Sequence, residues 1–316
     1  MNWLSVLWST APLMHPEPGF RDKLARLKYC VRALQHPRLT QEWFRLLDQS
    51  RLRPVTQRHP RLFSKLQRPY LHRRLSPAGR LEAGRQHYGF LLRRLGDDAW
   101  AGIYETEGLL LGWLPETGWG SYALRLLYRD QFEKEGDLVL ALCEERRGEP
   151  LFTLAFAVGQ PTSDAAELFI GGLQGCRQAN ERERIVELTR AWHGLRPKAL
   201  LVFALQRMAQ LWNCQAIHAV GDAEHIYRHT HKRREIRARH DEFWAESGGV
   251  PGADGNFRLP AAPTVRDISE LPRGKRPIYR RRYAMLELLG ADIQMALAGR
   301  AVLRRLEPAV LLPAEV

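Results

Sequence analysis

The stretches ELFIGGLQG (residues 167–175) and CQAIHAVGDAEHIYR (residues 214–228) decide the fold of this chain. Each begins with an apolar run that has the length of a buried strand, and each run leads into glycine or polar residues. Helical patterns occupy the sequence between them. The order strand, glycine turn, helix, strand brings backbone amides and strand ends together, where ligands commonly bind. We therefore expect the functional site at the ends of these two strands.

The sequence upstream predicts a helical region followed by an antiparallel meander. Residues 17–95 show helical spacing, with Thr40 expected to cap one helix and Ser76 to cap another in front of Pro77. From residue 100, short apolar runs alternate with Gly-containing and charged turns, which is typical of consecutive antiparallel strands. The predicted strands are 100–106, 109–114, 122–132, 138–146, 152–158 and 168–173.

Downstream, helices and strands alternate. Acidic residues open a predicted helix over 181–193, and Pro197 opens a second that ends near residue 213. The predicted elements that follow are a buried strand at 216–220, a short helix at 240–246, a strand at 257–259 and a closing helix at 280–306.

The charge of the chain favours polyanionic partners. Its 316 residues include 48 Lys and Arg against 35 Asp and Glu, which gives a net charge of +13. Most of the excess lies in residues 1–96, and two basic runs follow at 228–239 and 273–282. Such a surface suits anionic lipid, nucleic acid or a phosphorylated small molecule, although a GC-rich coding sequence also enriches arginine. Arg73, Arg74 and Arg80 are expected to be exposed members of this surface.

Cysteine and hydropathy patterns indicate the compartment. The four cysteines form no CxxC pair and sit in or beside apolar runs, so we expect buried thiols, a reducing compartment and no zinc site. No segment approaches the roughly 18–20 apolar residues that span a bilayer. The chain is therefore expected to be soluble and cytoplasmic, with the Trp3 and Trp8 segment either docked on the domain or peripheral to the inner membrane.

Three glycines in five residues mark the first candidate ligand site. Gly171, Gly172 and Gly175, with Gln174 between them, would let the backbone approach a cofactor closely. The alternative is a bulge or a tight strand crossing, which needs the same bare backbone.

The second candidate, RPKALL (residues 196–201), resembles the cofactor turn of GNAT-type acyltransferases. In that family a Q/R-x-x-G-x-G/A turn and the helix after it bind the pyrophosphate of acyl-coenzyme A. Arg196 matches the first position, while Ala199 replaces the glycine and Leu201 the small residue. The resemblance implies cofactor contacts from Arg196, Lys198 and Ala199. It also implies an α+β fold with a helical N-terminal region and a mostly antiparallel, GNAT-like mixed sheet with flanking helices.

A polar cluster after the second strand is the third candidate. His225 beside Asp222 and Tyr227 could perform acid–base catalysis, and Glu224, Arg228 and His240 lie close in sequence. The alternative is that these are solvated loop side chains. The spacing lacks HExxH, so no metal is expected.

Several stretches together resemble the VirK/YbjX family of Gram-negative bacteria. They are HPRLTQEWF (36–44), RPYLHRRLSPAGRLE (68–82), ELFIGGLQG (167–175), RPKALLVFALQRMAQ (196–210), GDAEHIYRH (221–229) and DEFWAESGG (241–249). This resemblance implies a virulence-associated role in the cell envelope, in outer-membrane protein display and in resistance to antimicrobial peptides. It transfers no catalytic residue.

Three hypotheses remain open at this point. The first is a GNAT-like acyl or aminoacyl transferase that uses acyl-coenzyme A or another acyl donor on an envelope precursor. The second is a non-enzymatic protein that binds anionic lipid, a lipopolysaccharide precursor or, less favoured, RNA. The third is a degenerate GNAT-like scaffold. Residues 1–95 and 96–316 are expected to form two regions or one continuous unit.

Overall fold

The computed structural model describes residues 2–145, 150–162, 165–175, 180–227 and 240–303. The helices are α1 (Trp3–Met14), α2 (Phe20–Gln35), α3 (Pro37–Leu47), α4 (Arg53–Arg58), α5 (Pro77–Arg94), α6 (Asp97–Tyr104), α7 (Glu181–Ala191), α8 (Pro197–Leu211), α9 (His240–Glu246) and α10 (Arg276–Leu297). Short 3-10 segments cover Pro60–Gln67, Asp130–Phe132, Ile268–Glu270 and Arg273–Lys275.

One mixed sheet organises the rest of the chain. Its strands are β1 (Leu109–Thr117), β2 (Gly120–Leu127), β3 (Leu138–Glu144), β4 (Pro150–Thr162), β5 (Ala165–Gly175), β6 (Cys214–Ala219), β7 (Val250–Pro251) and β8 (Phe257–Leu259). They are arranged in the order β1-β2-β3-β4-β5-β6-β8-β7. Neighbours are antiparallel except for β5 and β6, which are parallel. The predicted α+β class with a mostly antiparallel sheet is confirmed.

The apolar alternation of the central strands builds the main core. β3 is buried along its whole length, and Leu138, Leu140 and Leu142 belong to the same apolar cluster as the inward side chains of α8. That cluster extends from Leu7 in α1 to Ala296 in α10. The predicted helical region and the predicted sheet region therefore share one core.

Two predicted elements are wrong. Residues 100–106 do not form a strand, because α6 occupies most of them. Trp100, Ile103 and Tyr104 are buried at helical spacing, and Asp97 and Asp98 stabilise the first turn. Thr40 is not a cap, since α3 begins at Pro37 and the Thr40 hydroxyl donates to the Ala33 carbonyl at 3.0 Å.

Other predicted boundaries hold more closely. Ser76 caps α5 by accepting the Gly79 amide at 3.1 Å. The closing helix begins at Arg276 and ends at Leu297, so it starts and stops earlier than its basic pattern predicts.

Cys30, Cys143 and Cys214 are buried thiols as predicted, while Cys176 lies outside the described residues. None of the described helices is long and apolar enough to cross a bilayer.

Candidate functional site

The parallel strands β5 and β6 separate at the edge where both of them end. Their pairing runs from Ala166 opposite Cys214 to Ile170 opposite Ala219, and a last bond joins the Val220 amide to the Ile170 carbonyl at 2.8 Å. β5 continues to Gly175 without β6 beside it. Ligand sites in open sheets form outside the carboxyl ends of parallel strands, where the strand order reverses. This gap is therefore the place to look for chemistry.

The side chains of α9 fill the gap. The His240 Nε2–H donates to the Leu173 carbonyl at 3.1 Å, and the Trp244 Nε1–H donates to the Val220 carbonyl at 2.9 Å. The His240 ring stacks between His225 and Trp244, with centroid distances of 5.2 and 6.0 Å. Two of these three buried rings, those of His240 and Trp244, thus bond the ends of β5 and β6.

The loop before β3 supplies carboxylates that the sequence interpretation missed. Glu133, Glu135 and Asp137 alternate in residues 133–137, which we call the carboxylate loop. This loop crosses the sheet so closely that a Cβ on Gly171 would lie 2.0 Å from the Glu135 carbonyl oxygen. A Cβ on Gly172 would lie 2.5 Å from Glu135 Oε1. The tight crossing considered for the glycine run therefore accounts for these two glycines.

Glu135 and His225 form a buried pair. Glu135 is 1% exposed, and His225 Nε2 lies 3.2 Å from Glu135 Oε1. The Tyr227 amide donates to His225 Nδ1 at 3.4 Å, so Nδ1 acts as an acceptor and Nε2 is the ring nitrogen that faces the carboxylate. The Gln174 amide donates to both Glu135 oxygens, at 2.7 and 2.6 Å. The Glu135 carboxylate is thus held by Gln174 beside the His225 imidazole.

Asp222 and Asp241 join the turn after β6 to the first turn of α9. Asp222 Oδ1 accepts the His240 amide at 3.1 Å and lies 3.3 Å from His240 Nδ1. Asp241 Oδ1 in return accepts the Asp222 amide at 2.7 Å. Burial alone would raise the pKa of Asp222, but the hydrogen bonds and charge of His240 outweigh it and hold the pKa below its usual value. Asp222 is therefore ionised at neutral pH.

Tyr227 adds a phenol to the group. Burial and the negative charges of Glu135 and Glu133 raise the pKa of Tyr227 to about 12. The phenol is consequently neutral at physiological pH and can donate a proton. The Lys134 ammonium lies 5.5 Å from the centroid of its ring. All three predicted catalytic residues come together here. We refer to Glu135, Gln174, Asp222, His225, Tyr227 and His240 as the polar site.

A pair of arginines holds the neighbouring Glu224, which is 2% exposed. Arg74 Nη2 donates to Glu224 Oε1 at 2.6 Å, and Arg73 bonds the same carboxylate at 3.3 Å. Burial would raise the pKa of Glu224, but these two guanidinium groups lower it. Arg80 donates to the Leu66 carbonyl at 2.9 Å. Arg73 and Arg74 are exposed as expected, whereas Arg80 is only partly exposed. All three also bond other parts of the fold, so their charges are partly used within the protein.

The residues predicted to hold a cofactor lie around the same gap. Arg196 ends opposite Glu246 of α9 at 2.9 Å, and the Lys198 ammonium is 5.7 Å from the Phe243 ring centroid. A Cβ on Gly175 would lie 2.8 Å from Glu181 Oε1 at the start of α7. Ala199 is partly buried in the first turn of α8. The first turns of α7 and α8 and the end of β5 therefore meet beside α9.

Part of the predicted cluster falls outside the described residues. Arg228 and the basic run 228–239 are outside the described residues. Within the described ranges, no three His, Cys, Asp or Glu side chains are grouped as metal ligands. Glu135 and Trp244 carried no sequence signal of a site, since Glu135-Gly136 has the pattern of a turn and Trp244 that of a core residue.

Comparisons with known proteins give relatives but no described activity. Residues 19–295 match the family model "Protein of unknown function (DUF535)". The chain is similar to "Uncharacterized protein YbjX" of Escherichia coli K12, with 35% identity over 87% of this chain and 84% of that protein. It is also similar to an uncharacterized protein of Haemophilus influenzae, with 32% identity over 40% of this chain and 43% of that protein. No solved structure matches the chain significantly.

Proposed function

We propose that this chain is an acyl or aminoacyl transferase acting at the polar site. The chain belongs to the DUF535 family and is a member of the VirK/YbjX group that it resembles. One observation carries the proposal. Acid–base side chains from the carboxylate loop, from β5 and from the segment after β6 converge where the parallel strands separate. The strand order, with one parallel pair followed by a returning hairpin, supports a GNAT-like arrangement of the sheet.

The proposed reaction transfers an acyl group from an anionic thioester, such as acyl-coenzyme A, to an amine. The amine nitrogen attacks the carbonyl carbon, a C–N bond forms, and the C–S bond breaks. The proton that leaves the amine passes to solvent water, and one proton joins the departing thiolate; the group that supplies this second proton regains one from solvent, so the protons balance. The neutral Tyr227 phenol is suited to donate the second proton, and the ionised Asp222 to accept a hydrogen bond from the amine.

His225 has a positioning role in this proposal. Its Nδ1 accepts the Tyr227 amide and so holds the backbone of Tyr227, while its Nε2 lies 3.2 Å from Glu135 Oε1. Arg196, Lys198, Ala199, Gln174 and the backbone of Gly175 remain the proposed contacts of the acyl donor. Gly171 and Gly172 leave this set, because Glu135 of the carboxylate loop covers both of them. The acceptor is proposed to be an envelope precursor, following the role that the family resemblance implies.

A second candidate is a GNAT-like scaffold that binds a ligand without catalysis. The contacts of His240 with Leu173 and of Trp244 with Val220 favour it, because they occupy strand atoms that a donor in the gap would need. The side chain of Ala199, at a position where the GNAT turn has bare backbone, favours it as well.

Thermal-shift titration and thiol release distinguish the two candidates. The purified chain is titrated with acetyl-coenzyme A and longer acyl thioesters, and free thiol is measured with a panel of amine acceptors. A transferase gives stabilisation by the thioesters and thiol release, and Tyr227→Phe lowers the release by ~10²-fold or more while stabilisation persists. Stabilisation without release supports the scaffold. Absence of any stabilisation at millimolar ligand contradicts thioester binding.

A further inference from the structure

Helix α2 presents an apolar stripe to solvent. Phe20, Leu24, Leu27, Val31 and Leu34 are 81, 39, 59, 47 and 52% exposed. Their spacing of four, three, four and three residues puts them on one side of the helix. The stripe extends over about 21 Å at 1.5 Å per residue.

The opposite side of α2 attaches it to the fold. Tyr29, Cys30 and Ala33 are buried, and the Tyr29 hydroxyl shares a 3.1 Å hydrogen bond with Thr10 of α1. Arg26 donates to the His15 carbonyl at 2.8 Å. The inner side of α2 therefore attaches the helix to the fold, and the outward stripe lies on a folded helix.

A row of large apolar side chains in water indicates an interaction surface. Isolated exposed apolar side chains are common on proteins, but five at one helical spacing form a continuous stripe. The charged side chains beside the stripe indicate the chemistry of its partner. Arg21, Lys23, Lys28 and Arg32 are all exposed, and Asp22 is the one acid in the helix sequence. The exposed side of α2 is thus apolar along the stripe and basic on both flanks of it.

A second copy of the chain is a poor match for this pattern. Two α2 helices packed stripe to stripe would bring basic flanks together, and like charges at such positions oppose pairing. An anionic bilayer surface supplies both required partners, since acyl chains accept the apolar side chains and phosphate groups attract the lysines and arginines.

We propose that α2 is an interfacial helix that docks this protein on anionic phospholipid bilayers, with the Phe20–Leu34 stripe in the headgroup region. The inference is independent of the transferase proposal, because it uses no residue of the polar site. It assigns the anionic partner to α2 instead of to Arg73, Arg74 and Arg80.

Vesicle co-sedimentation of the full chain tests the proposal. The vesicles are phosphatidylcholine alone, or phosphatidylcholine mixed with phosphatidylglycerol. We expect binding to the mixed vesicles that weakens steeply with added salt and is much weaker on phosphatidylcholine alone. The variant Leu27→Ser/Val31→Ser should lose roughly tenfold or more in partitioning, because two apolar side chains no longer enter the bilayer.

Matched controls separate the stripe from general exposure and charge. Val250→Ser/Val265→Ser removes two similarly exposed valines elsewhere and should bind as the unmodified chain does. Lys28→Glu/Arg32→Glu should reduce binding to mixed vesicles, whereas Arg182→Glu/Arg190→Glu in α7 should have a much smaller effect. Circular dichroism and melting temperature verify that each variant is folded.

Several outcomes would overturn the proposal. These are no binding to mixed vesicles, equal binding to both vesicle types, and equal loss in the stripe and control variants. A concentration-dependent dimer that Leu27→Ser/Val31→Ser abolishes, in a chain that does not bind vesicles, would assign the stripe to a second copy instead.

Discussion

Because Gly171 has no side chain, the carboxylate loop can pass close enough to β5 to form the polar site. The carboxylate loop crosses β5 at this residue, and only a bare Cα lets the Glu135 backbone come so close. Glu135 then reaches His225 and Gln174 from above the strand. The glycine run is thus required for the position of a carboxylate that comes from a distant part of the chain.

Substitution of Gly171 by alanine should lower the free energy of unfolding by about 3 kcal/mol, because the new methyl group has to displace backbone. Gly274→Ala is the matched control, since a Cβ there meets nothing within 4 Å. Its effect should stay within about 0.5 kcal/mol. Urea denaturation of the two variants measures both values, and equal stabilities would contradict the proposed close crossing.

The residues of the site differ in how far sequence could predict them. The sequence predicts Asp222, His225 and Tyr227 because they come just after an apolar run, and the end of a strand is a local feature. Glu135 has no such local signal. Its partner His225 is 90 positions away in the chain, and no local pattern records that the carboxylate loop crosses β5.

At the scale of elements, α9 is the short helix on which the site depends. It is seven residues long, and an isolated helix of that length is unstable in water. Its first turn is stabilised by the acceptor Asp222, while Trp244 bonds the end of β6. The pattern of residues 240–246 predicted the helix, but its insertion between β5 and β6 depends on contacts distant in sequence.

Replacing Asp222 by asparagine should destabilise the protein by about 1 kcal/mol at neutral pH, a value reduced for the partial exposure of this side chain. The pKa of Asp222 is lowered in the folded state, so its contribution is present above the unfolded pKa and is lost as pH falls through the folded pKa.

The difference between Asp222→Asn and the unmodified chain should therefore be largest at neutral pH and shrink in acid. Denaturant unfolding at several pH values measures it. A difference that grows as pH falls would contradict the assigned role of the carboxylate.

The wrong strand at residues 100–106 has an explanation at the same scale. Trp100, Ile103 and Tyr104 suit a strand by composition, and Gly96 and Gly108 bound the segment as turn residues would. The acids Asp97 and Asp98 at the first turn are the signal that distinguishes a helix. The composition of this segment favours a strand, whereas the acids at its start favour a helix. The helix forms because it buries Trp100, Ile103 and Tyr104, which lie at helical spacing.

Across the whole molecule, the carboxylate loop connects the N-terminal helical region to the sheet. Asp137 is fully buried and bonds Lys65 and Tyr70, which come from residues 60–70, as well as Tyr88 of α5. Arg68 bonds Glu133 in the same loop. The division at residues 95 and 96 remains a prediction, and these contacts favour its alternative of one continuous unit.

Asp137→Asn should destabilise the whole chain by about 3–5 kcal/mol, since it leaves the buried Lys65 ammonium without its counter-charge. Glu107→Gln makes the same chemical change at a side chain that is 87% exposed and should cost under about 0.5 kcal/mol.

Denaturation followed by far-UV circular dichroism and by tryptophan fluorescence measures both variants. If the chain is one unit, the two probes should give the same midpoint in the unmodified protein and should shift together in Asp137→Asn. Separate midpoints would favour the two-region alternative.

The far edge of the sheet has a consequence for assembly. β7 has only two residues, and one of them, Pro251, carries no amide hydrogen. An unpaired strand edge can pair with a strand from another molecule. A very short edge strand that contains proline has almost no free backbone groups for such pairing. On this side the sheet therefore offers a strand of another copy very few bonding partners, which disfavours growth of the sheet from one molecule to the next.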